Sequence, residues 1–450
     1  MPKLMKSVSG IRGIVGETLT VNNVINFAQK FSTYCKKGKI LVGRDSRITG
    51  QMLFNAISSR LMSIGSDVVD LGICPTPTIL LAVEKSEASG GIAITASHNP
   101  KEWNALKLIG PNGTFLTEKQ SKMFWSINSE DIINQKWDRI GKLSLDNSAI
   151  ENHIKGILNL KYVDIQAIRK NHFKVVIDST NGAGGLLSPQ LLRELGCEVI
   201  ELFSEPTGIF SRIAEPSANN LHELEKLVLS EKADIGFATD PDVDRLSVVS
   251  EKGKALGTEL SLLLAEEYIL SQKRGNIATN LSSSMASEDI AKKYNVKIFR
   301  SKVGEINVVE TMKKNNCVIG GEGNGGIILP ELHYTRDAPL GMALILSYMA
   351  KTGKRISELF NLIPHYFMCK TKIQLTDNID FDERLIHIKN KFPDCEFDFT
   401  DGIKIVNKDY WVHIRKSGTE PVVRIISESE SIEKSEKLIN SIKILLKSIT

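Results

Sequence analysis

Several features that would assign this chain to a special class are missing from it. No apolar run is long enough to span a bilayer, and the opening MPKLMKSVSGIRG has no apolar core of the secretory kind. Cysteines stand singly at 35, 74, 197, 317, 369 and 395, with no CxxC pair and no His/Cys spacing suited to zinc. They read as reduced thiols packed as small apolar groups. There is no low-complexity tract and no long charged linker. The 57 basic side chains barely exceed the 53 acidic ones and are evenly spread, which gives no reason to expect nucleic acid. A mild positive balance does suit a ligand that carries phosphate. No G-x-S-x-G elbow or Ser-His-Asp ordering is present, which argues against acyl transfer. What remains is a cytoplasmic enzyme or binding protein with a small-molecule partner, no nucleic acid and no membrane.

At 450 residues the chain is too long for one core and should divide into three or four domains. Its 42% hydrophobic and 24% charged content is ordinary for a globular protein. A strand–loop–helix rhythm starts at KILVGRDSR (39–47), continues through a helical 49–64, and reaches GGIAITASHNP. It restarts at FKVVIDSTNGAGG (173–185), with a helix over 189–195, the strand CEVIELF and the pair of strands in ADIGFATDPDVDRLSVVS (233–250). A third round runs through NIATNLSSS (276–284), 297–314 and CVIGGEGNGGIILP (317–330). After about 365 the pattern changes to alternating strands and one final helix, 430–448. These spacings predict three similar α/β domains with mixed, mostly parallel sheets and a smaller C-terminal α+β domain. The boundaries fall at 1–148, 149–252, 253–365 and 366–450. Ligand groups should gather in loops beyond the carboxyl ends of the strands, where each polar cluster lies.

Four clusters carry the chemistry. In TDPDVDR, Asp240, Asp242 and Asp244 alternate, so in an extended segment their carboxylates point to one side. Hard oxygens packed so closely call for a cation such as Mg²⁺ or Ca²⁺. An EF-hand is the rival, with Glu251 at its twelfth position, but Arg245 replaces the required glycine and the flanks read as strands. A solvated acidic turn is the plain alternative. Three carboxylates exceed the charge of one Mg²⁺, so Arg245 and other cations would have to balance them if a phosphoryl group also bound there. In HIRKSGTEPVVRI, Arg415, Ser417, Gly418 and Thr419 form a turn with Arg424 on the next strand. Guanidiniums, hydroxyls and backbone N–H groups so placed fit a phosphate dianion, though a simple hairpin turn would read the same way. GGEGNGG offers Glu322 and Asn324 to sugar hydroxyls, or is only a structural turn. In ITASHNPKEWNALK, Ser97, His98, Asn99 and Lys107 lie together. Ser97 could simply cap a helix. As a nucleophile it needs a base, a metal or an attached group, and phosphoryl transfer beside the acidic loop suits it best.

These clusters, in this order and over nearly the whole chain, resemble the α-D-phosphohexomutase family, which includes phosphoglucomutase, phosphomannomutase and phosphoglucosamine mutase. The resemblance implies four domains around a central cleft, each lending one loop. TASHNP looks like the phosphoserine loop, so Ser97 would carry the transferable phosphoryl group and, with Asp240, Asp242 and Asp244, would bind one Mg²⁺. GEGNGG stands where the sugar-binding loop would be, and RKSGTEP where the phosphate-binding loop would be. SGIRG resembles the N-terminal catalytic segment, which gives Arg12 a role in charge balance. Lys107 corresponds to a lysine near the transferring phosphate, and His98 shapes the loop or contacts phosphate. GRDSR (Arg44, Arg47) and VGEINV, with Gly304 and Glu305, also have counterparts. The implied reaction interconverts hexose 6-phosphate and hexose 1-phosphate through a sugar bisphosphate, which also serves as activator, in a monomer or homodimer. SGTEP and GEGNGG…PELHY look most like phosphoglucosamine mutases, with phosphoglucomutase/phosphomannomutase as the alternative. The sugar loop departs from the commoner GEQSGH and GEMSGH: Asn324 replaces Ser and Gly326 replaces His. SVSGIRG lacks the acid of GTDGxRG.

Overall fold

The computed structural model describes residues 4–374, 388–416 and 422–447. Its first sheet uses Met5–Ser7 (β1), Gly10–Ile14 (β2), Ile40–Arg44 (β3), Val68–Ile73 (β4), Gly90–Ile94 (β5), Trp103–Ile109 (β6) and Leu143–Leu145 (β7) in the order β1-β2-β6-β5-β3-β4-β7. β5, β3, β4 and β7 are parallel; β1, β2, β6 and β5 pair antiparallel. The antiparallel share has a simple cause. Only the short loop around Ser97 separates β5 from β6, which is too little chain for a crossover, so β6 must turn back.

The second sheet holds Lys174–Asp178 (β8), Glu198–Leu202 (β9), Ile235–Thr239 (β10), Leu246–Ser250 (β11) and Lys254–Ala255 (β12), in the order β12-β11-β10-β8-β9. The third holds Ile277–Asn280 (β13), Ile298–Ser301 (β14), Ile319–Glu322 (β15) and Gly326–Ile328 (β16), in the order β14-β13-β15-β16. Both are mixed, with a parallel centre and an antiparallel hairpin that carries a polar loop. The helix expected over 189–195 starts earlier, at Gly184, and Pro189 lies inside it. A Cβ at Gly185 would fall 1.7 Å from the Ser204 carbonyl oxygen, so glycine there lets the helix begin against the sheet.

The helices Thr258–Gln272 and Ala338–Thr352 are buried almost all round, as expected of helices wedged between layers rather than lying on a surface. One apolar core runs through both neighbouring sheets, from Val175 and Phe237 past Leu264 and Leu344 to Ile277 and Ile319. The fourth sheet is antiparallel throughout: Phe367–Gln374 (β17), Glu396–Asp398 (β18), Ile403–Val406 (β19), Tyr410–Lys416 (β20) and Val422–Ser429 (β21). The helix Ile432–Lys447 covers it, with Ile439 and Ile442 packed on Ile403, Ile414 and Ile425. Among the described residues no helix is long and apolar enough to cross a membrane.

A buried polar chain joins the helices Thr76–Glu84 and Ala149–Leu158 to the start of the helix Ala338–Thr352. Thr78 Oγ1 lies 2.8 Å from His153 Nδ1, and His153 Nε2 and His333 Nε2 lie 2.7 and 2.8 Å from Asp337 Oδ2. The other oxygen of Asp337 accepts from the Leu340 N–H and caps the helix that begins at Ala338. Burial works against the Asp337 carboxylate, but the two imidazoles hold its pKa below the ordinary value.

Candidate active site

The carboxyl ends of β3, β5, β10, β13 and β15 all deliver loops to one region. After β5, Thr95 Oγ1 accepts from the Ser97 N–H at 3.0 Å and donates to Asp45 Oδ2 at 2.6 Å. The Arg47 guanidinium grips the same loop, donating to the carbonyls of Ser97, Asn99, Pro100 and Trp103 at 2.6–3.1 Å. Its Nε donates to Asp45 Oδ2 at 3.0 Å, and neither side chain is exposed. So clamped, Ser97 takes φ of +51°, and it caps no helix. A non-glycine residue in the left-handed region is strained, and such strain clusters where a side chain must be aimed.

The aim is at the acidic loop. Ser97 Oγ donates to Asp240 Oδ2 at 2.8 Å and lies 3.3 Å from His98 Nδ1. Asp240, Asp242 and Asp244 do converge, each fully buried, with ligand atoms within 4.8 Å of one another. They converge by a turn rather than along an extended segment. Asp240 follows the last residue of β10, and the Val243 N–H closes onto the Asp240 carbonyl at 3.1 Å with φ of +66°. For a β-branched side chain that backbone is a genuine outlier.

Cations surround the acids. Lys107 Nζ donates to Asp242 Oδ2 at 2.7 Å, and Thr76 Oγ1 donates to the same oxygen at 3.0 Å. The Arg245 N–H donates to Asp240 Oδ1 at 3.2 Å, and its Nε lies 3.8 Å from Asp244 Oδ1. Arg12 Nη1 donates to Asn99 Oδ1 at 2.7 Å, which places it on the serine loop. Burial, together with Asp244 and Asp242, pushes the Asp240 carboxyl well above its usual range. Burial opposes the Asp242 charge too, but Lys107 overcomes it and holds that carboxyl far below. His98 is kept neutral by the Arg245 charge, by burial and by Arg12. Asp242 Oδ1 and Asp244 Oδ1 are buried with no hydrogen-bond partner. Bare hard oxygens at this spacing, with repulsion left to relieve, fit a divalent cation.

The third sheet brings the remaining acids. Glu322 Oε1 accepts from Asn280 Nδ2 at 2.7 Å and from the Gly304 N–H at 2.9 Å. Glu322 Oε2 accepts from Arg336 Nη1 at 2.9 Å, and Asn324 Oδ1 lies 3.3 Å from the same nitrogen. Glu305 accepts from Arg336 Nε at 3.1 Å and from Thr335. Gly323 carries no side chain because Glu259 stands 1.8 Å from where its Cβ would be.

On the fourth sheet Arg415 and Arg424 are direct cross-strand partners. Burial lowers the Arg415 guanidinium, Arg424 adds to the effect, and the carboxylates of Asp401 and Glu322 oppose it. Arg415 Nε is buried without a hydrogen-bond partner. Two guanidiniums set opposite each other repel, and an anion between them would relieve it. His413 fixes this sheet to the third, with Nδ1 2.8 Å from Ser282 Oγ. Ser417, Gly418 and Thr419 lie outside the described residues.

Arg44 is not brought to this cluster. Its guanidinium pairs with Asp70 at 3.0 Å and Gln51 at 2.6 Å and lies over the Phe54 ring. Three residues with structural claims on the site were given no role by the sequence: Arg47, Thr76 and Arg336. Arg47 at least sits in a recognisable motif. Thr76 and Arg336 act only through tertiary contact, and no spacing in the chain announces them.

Family models for phosphoglucomutase/phosphomannomutase α/β/α domains I, II and III match residues 3–131, 151–253 and 257–366, and that for the C-terminal domain matches 371–443. The chain is 39% identical over 449 residues to a Thermococcus kodakarensis phosphoglucomutase/phosphomannomutase, with 97% of each chain covered. It is 33% identical over 445 residues to a phosphoglucosamine/phosphogalactosamine mutase of Sulfurisphaera tokodaii, covering 96% of this chain and 97% of that one. In fold it is similar to a phosphoglucomutase/phosphomannomutase family protein from Burkholderia thailandensis (TM-score 0.84, 24% identity, 98% and 97% covered). It is also similar to the open form of parafusin, a Paramecium phosphoglucomutase (TM-score 0.79, 17% identity, 99% and 95% covered).

Proposed function

Because the chain belongs to the phosphoglucomutase/phosphomannomutase family, we propose that it is a phosphohexomutase that moves a phosphoryl group between Ser97 and a hexose phosphate. The substrate we infer is glucosamine 6-phosphate, converted to glucosamine 1-phosphate, an amino-sugar nucleotide precursor. The observation that carries the reading is the strained serine, locked by Arg47 and aimed at three buried carboxylates.

The cation we assign to Asp240, Asp242 and Asp244 is Mg²⁺, which would supply positive charge beside the Ser97 oxygen as the phosphoryl group leaves. Every other contribution comes from side chains of the chain itself. Lys107 and Arg336 each hold one oxygen of a loop carboxylate, which leaves the second oxygen of Asp242 and of Asp244 bare. Arg12 and Arg245 add positive charge around the serine loop, and His98, held neutral, remains within reach of Ser97 Oγ. Lys107, as the ammonium paired with Asp242, also adds positive charge beside the transferring phosphoryl group. Glu322 and Asn324 face the sugar, with Gly304 and Glu305 supporting them. Arg415 and Arg424, with Ser417, Gly418 and Thr419, hold the phosphate that is not reacting. After the first transfer the sugar bisphosphate reverses end for end, its other phosphate returns to Ser97, and the isomer is released. Hexose bisphosphate therefore also primes the serine. The domains we assign to these roles span 1–148, 149–252, 253–365 and 366–450, and the setting is cytoplasmic.

A second reading, phosphoglucomutase/phosphomannomutase, is favoured by the 39% identity to the Thermococcus kodakarensis phosphoglucomutase/phosphomannomutase. Coupled assays with glucosamine 6-phosphate, glucose 6-phosphate and mannose 6-phosphate, each with bisphosphate and Mg²⁺, decide between them. The highest kcat/KM is expected for glucosamine 6-phosphate. Release of inorganic phosphate with no isomer formed would mean a phosphatase instead.

A further inference from the structure

Arg336, 8% exposed, comes from the segment between β16 and the helix that begins at Ala338 and is shared among several acids of the site. Its three guanidinium nitrogens serve acids from three separate segments: Nε donates to Glu305, Nη1 to Glu322 and Nη2 to Asp244. Around it stand three buried carboxylates, of which Asp244 is assigned above to the cation and Glu322 to the sugar. Charges so confined repel strongly unless a cation lies between them.

The molecule makes room for this arginine. A Cβ on Gly326 would fall 2.1 Å from Arg336 Cδ and 2.7 Å from its Cγ. The glycine and the arginine stem share one volume. The fork also selects orientation. By taking Asp244 Oδ2 it leaves Oδ1 unpartnered toward the acid cluster, and by taking Glu322 Oε2 it fixes the turn of a carboxylate whose Oε1 is already held twice.

We propose that Arg336 is a positioning residue that acts as a fixed internal counter-cation. It fills the place between Asp244, Glu305 and Glu322 to which a second divalent ion would otherwise be drawn, and it holds the cation loop and the sugar loop in one register. The proposal rests on the phosphohexomutase reading given above. Charge and geometry make separate contributions. The positive charge keeps the site to one divalent ion, and the planar fork, which a lysine cannot reproduce, keeps Glu322 aimed at the sugar.

The test titrates Mn²⁺ into substrate-free protein, with electron paramagnetic resonance counting bound ions, alongside steady-state kinetics on hexose phosphate. Wild type should bind one Mn²⁺ per chain. R336M should bind two, with KM raised. R336K, which keeps the charge and loses the fork, should bind one, with KM raised about tenfold. G326A, which displaces the stem without altering the guanidinium, should raise KM in the same way. The proposal is overturned if folded R336M binds one Mn²⁺ or none, or if R336K and G326A keep the wild-type KM. Should R336M fail to fold, R336K and G326A decide the matter. Wild-type protein that binds no divalent ion, or makes no isomer, would instead overturn the phosphohexomutase reading.

Discussion

Replacing Lys107 by Met removes one positive charge and leaves most of the stem. The ammonium lies 2.7 Å from Asp242 Oδ2, with side-chain exposures of 9% and 1%, so little solvent screens the pair. Removing one partner of a buried ion pair costs about 3–5 kcal/mol. Asp242 keeps its hydrogen bond from Thr76 at 3.0 Å, which places the expected loss near the lower end, ~3 kcal/mol. A divalent ion at the bare oxygens stabilises both proteins, by ~2.7 kcal/mol at a hundredfold excess over Kd, and stabilises K107M further as far as loss of the ammonium tightens its Kd. The assay is urea unfolding of wild type and K107M, in chelator and in saturating Mg²⁺. K107M should be less stable in chelator by ~3 kcal/mol, and Mg²⁺ should narrow that gap by RT ln of the ratio of the wild-type to the variant Kd. The sign with pH follows from Asp242, whose folded pKa is depressed in wild type. Its contribution is present above the unfolded value of about 3.9 and is lost as pH falls through the folded one. The K107M deficit should therefore be fully present above about pH 4 and shrink only below it, as the unfolded chain takes up the proton. Equal stability in chelator, or a deficit that Mg²⁺ leaves untouched, would refute the argument.

R415A should raise KM for both sugar phosphates by roughly tenfold or more, since a charge-assisted phosphate contact is worth about 1.5–3 kcal/mol; unchanged KM in both directions would count against a phosphate grip there. H153A strips one partner from the buried Asp337 and should cost ~3 kcal/mol in urea unfolding, without the rescue by Mg²⁺ that K107M shows; a loss under 1 kcal/mol contradicts the role given to that polar chain. Glu266, buried with one hydrogen bond from Ser287, has its pKa pushed up by burial to about 8. The fold binds that proton more tightly than the unfolded chain does, so stability should fall from near pH 4.5 to pH 8, by up to about 1.4 kcal/mol per unit. Denaturant midpoints at pH 5.5, 7 and 8.5 check this, and E266Q should flatten the slope; an identical slope in the variant would reject the assignment.

The parts of the site legible in the sequence were those written in contiguous residues. DPDVDR announces three hard oxygens, TASHNP a serine at the end of a strand, and the strand–loop–helix rhythm places both at sheet ends. What the sequence obscured depends on distance in the chain. Alternation suggested that the three aspartates converge along an extended segment, whereas the Val243 turn gathers them. Arg44 and Arg47 occupy one short motif, yet only Arg47 turns inward to the serine loop, because Asp45 and four carbonyls capture it while Asp70 captures Arg44. Arg336 had no visible signal beyond an unexplained glycine at 326, whose missing side chain makes sense only once the two are seen together. The shared core of the second and third sheets was equally hidden, since a helix apolar all round does not say which two layers it joins.

The most direct test of the central claim follows labelled phosphate from hexose 1,6-bisphosphate in a rapid-quench experiment, with peptide mapping of the protein during turnover. Label should appear on the peptide that carries Ser97 at a rate no slower than isomer formation, and S97A should show neither label nor isomer. Isomer formed at the wild-type rate with no label on that serine would contradict the account.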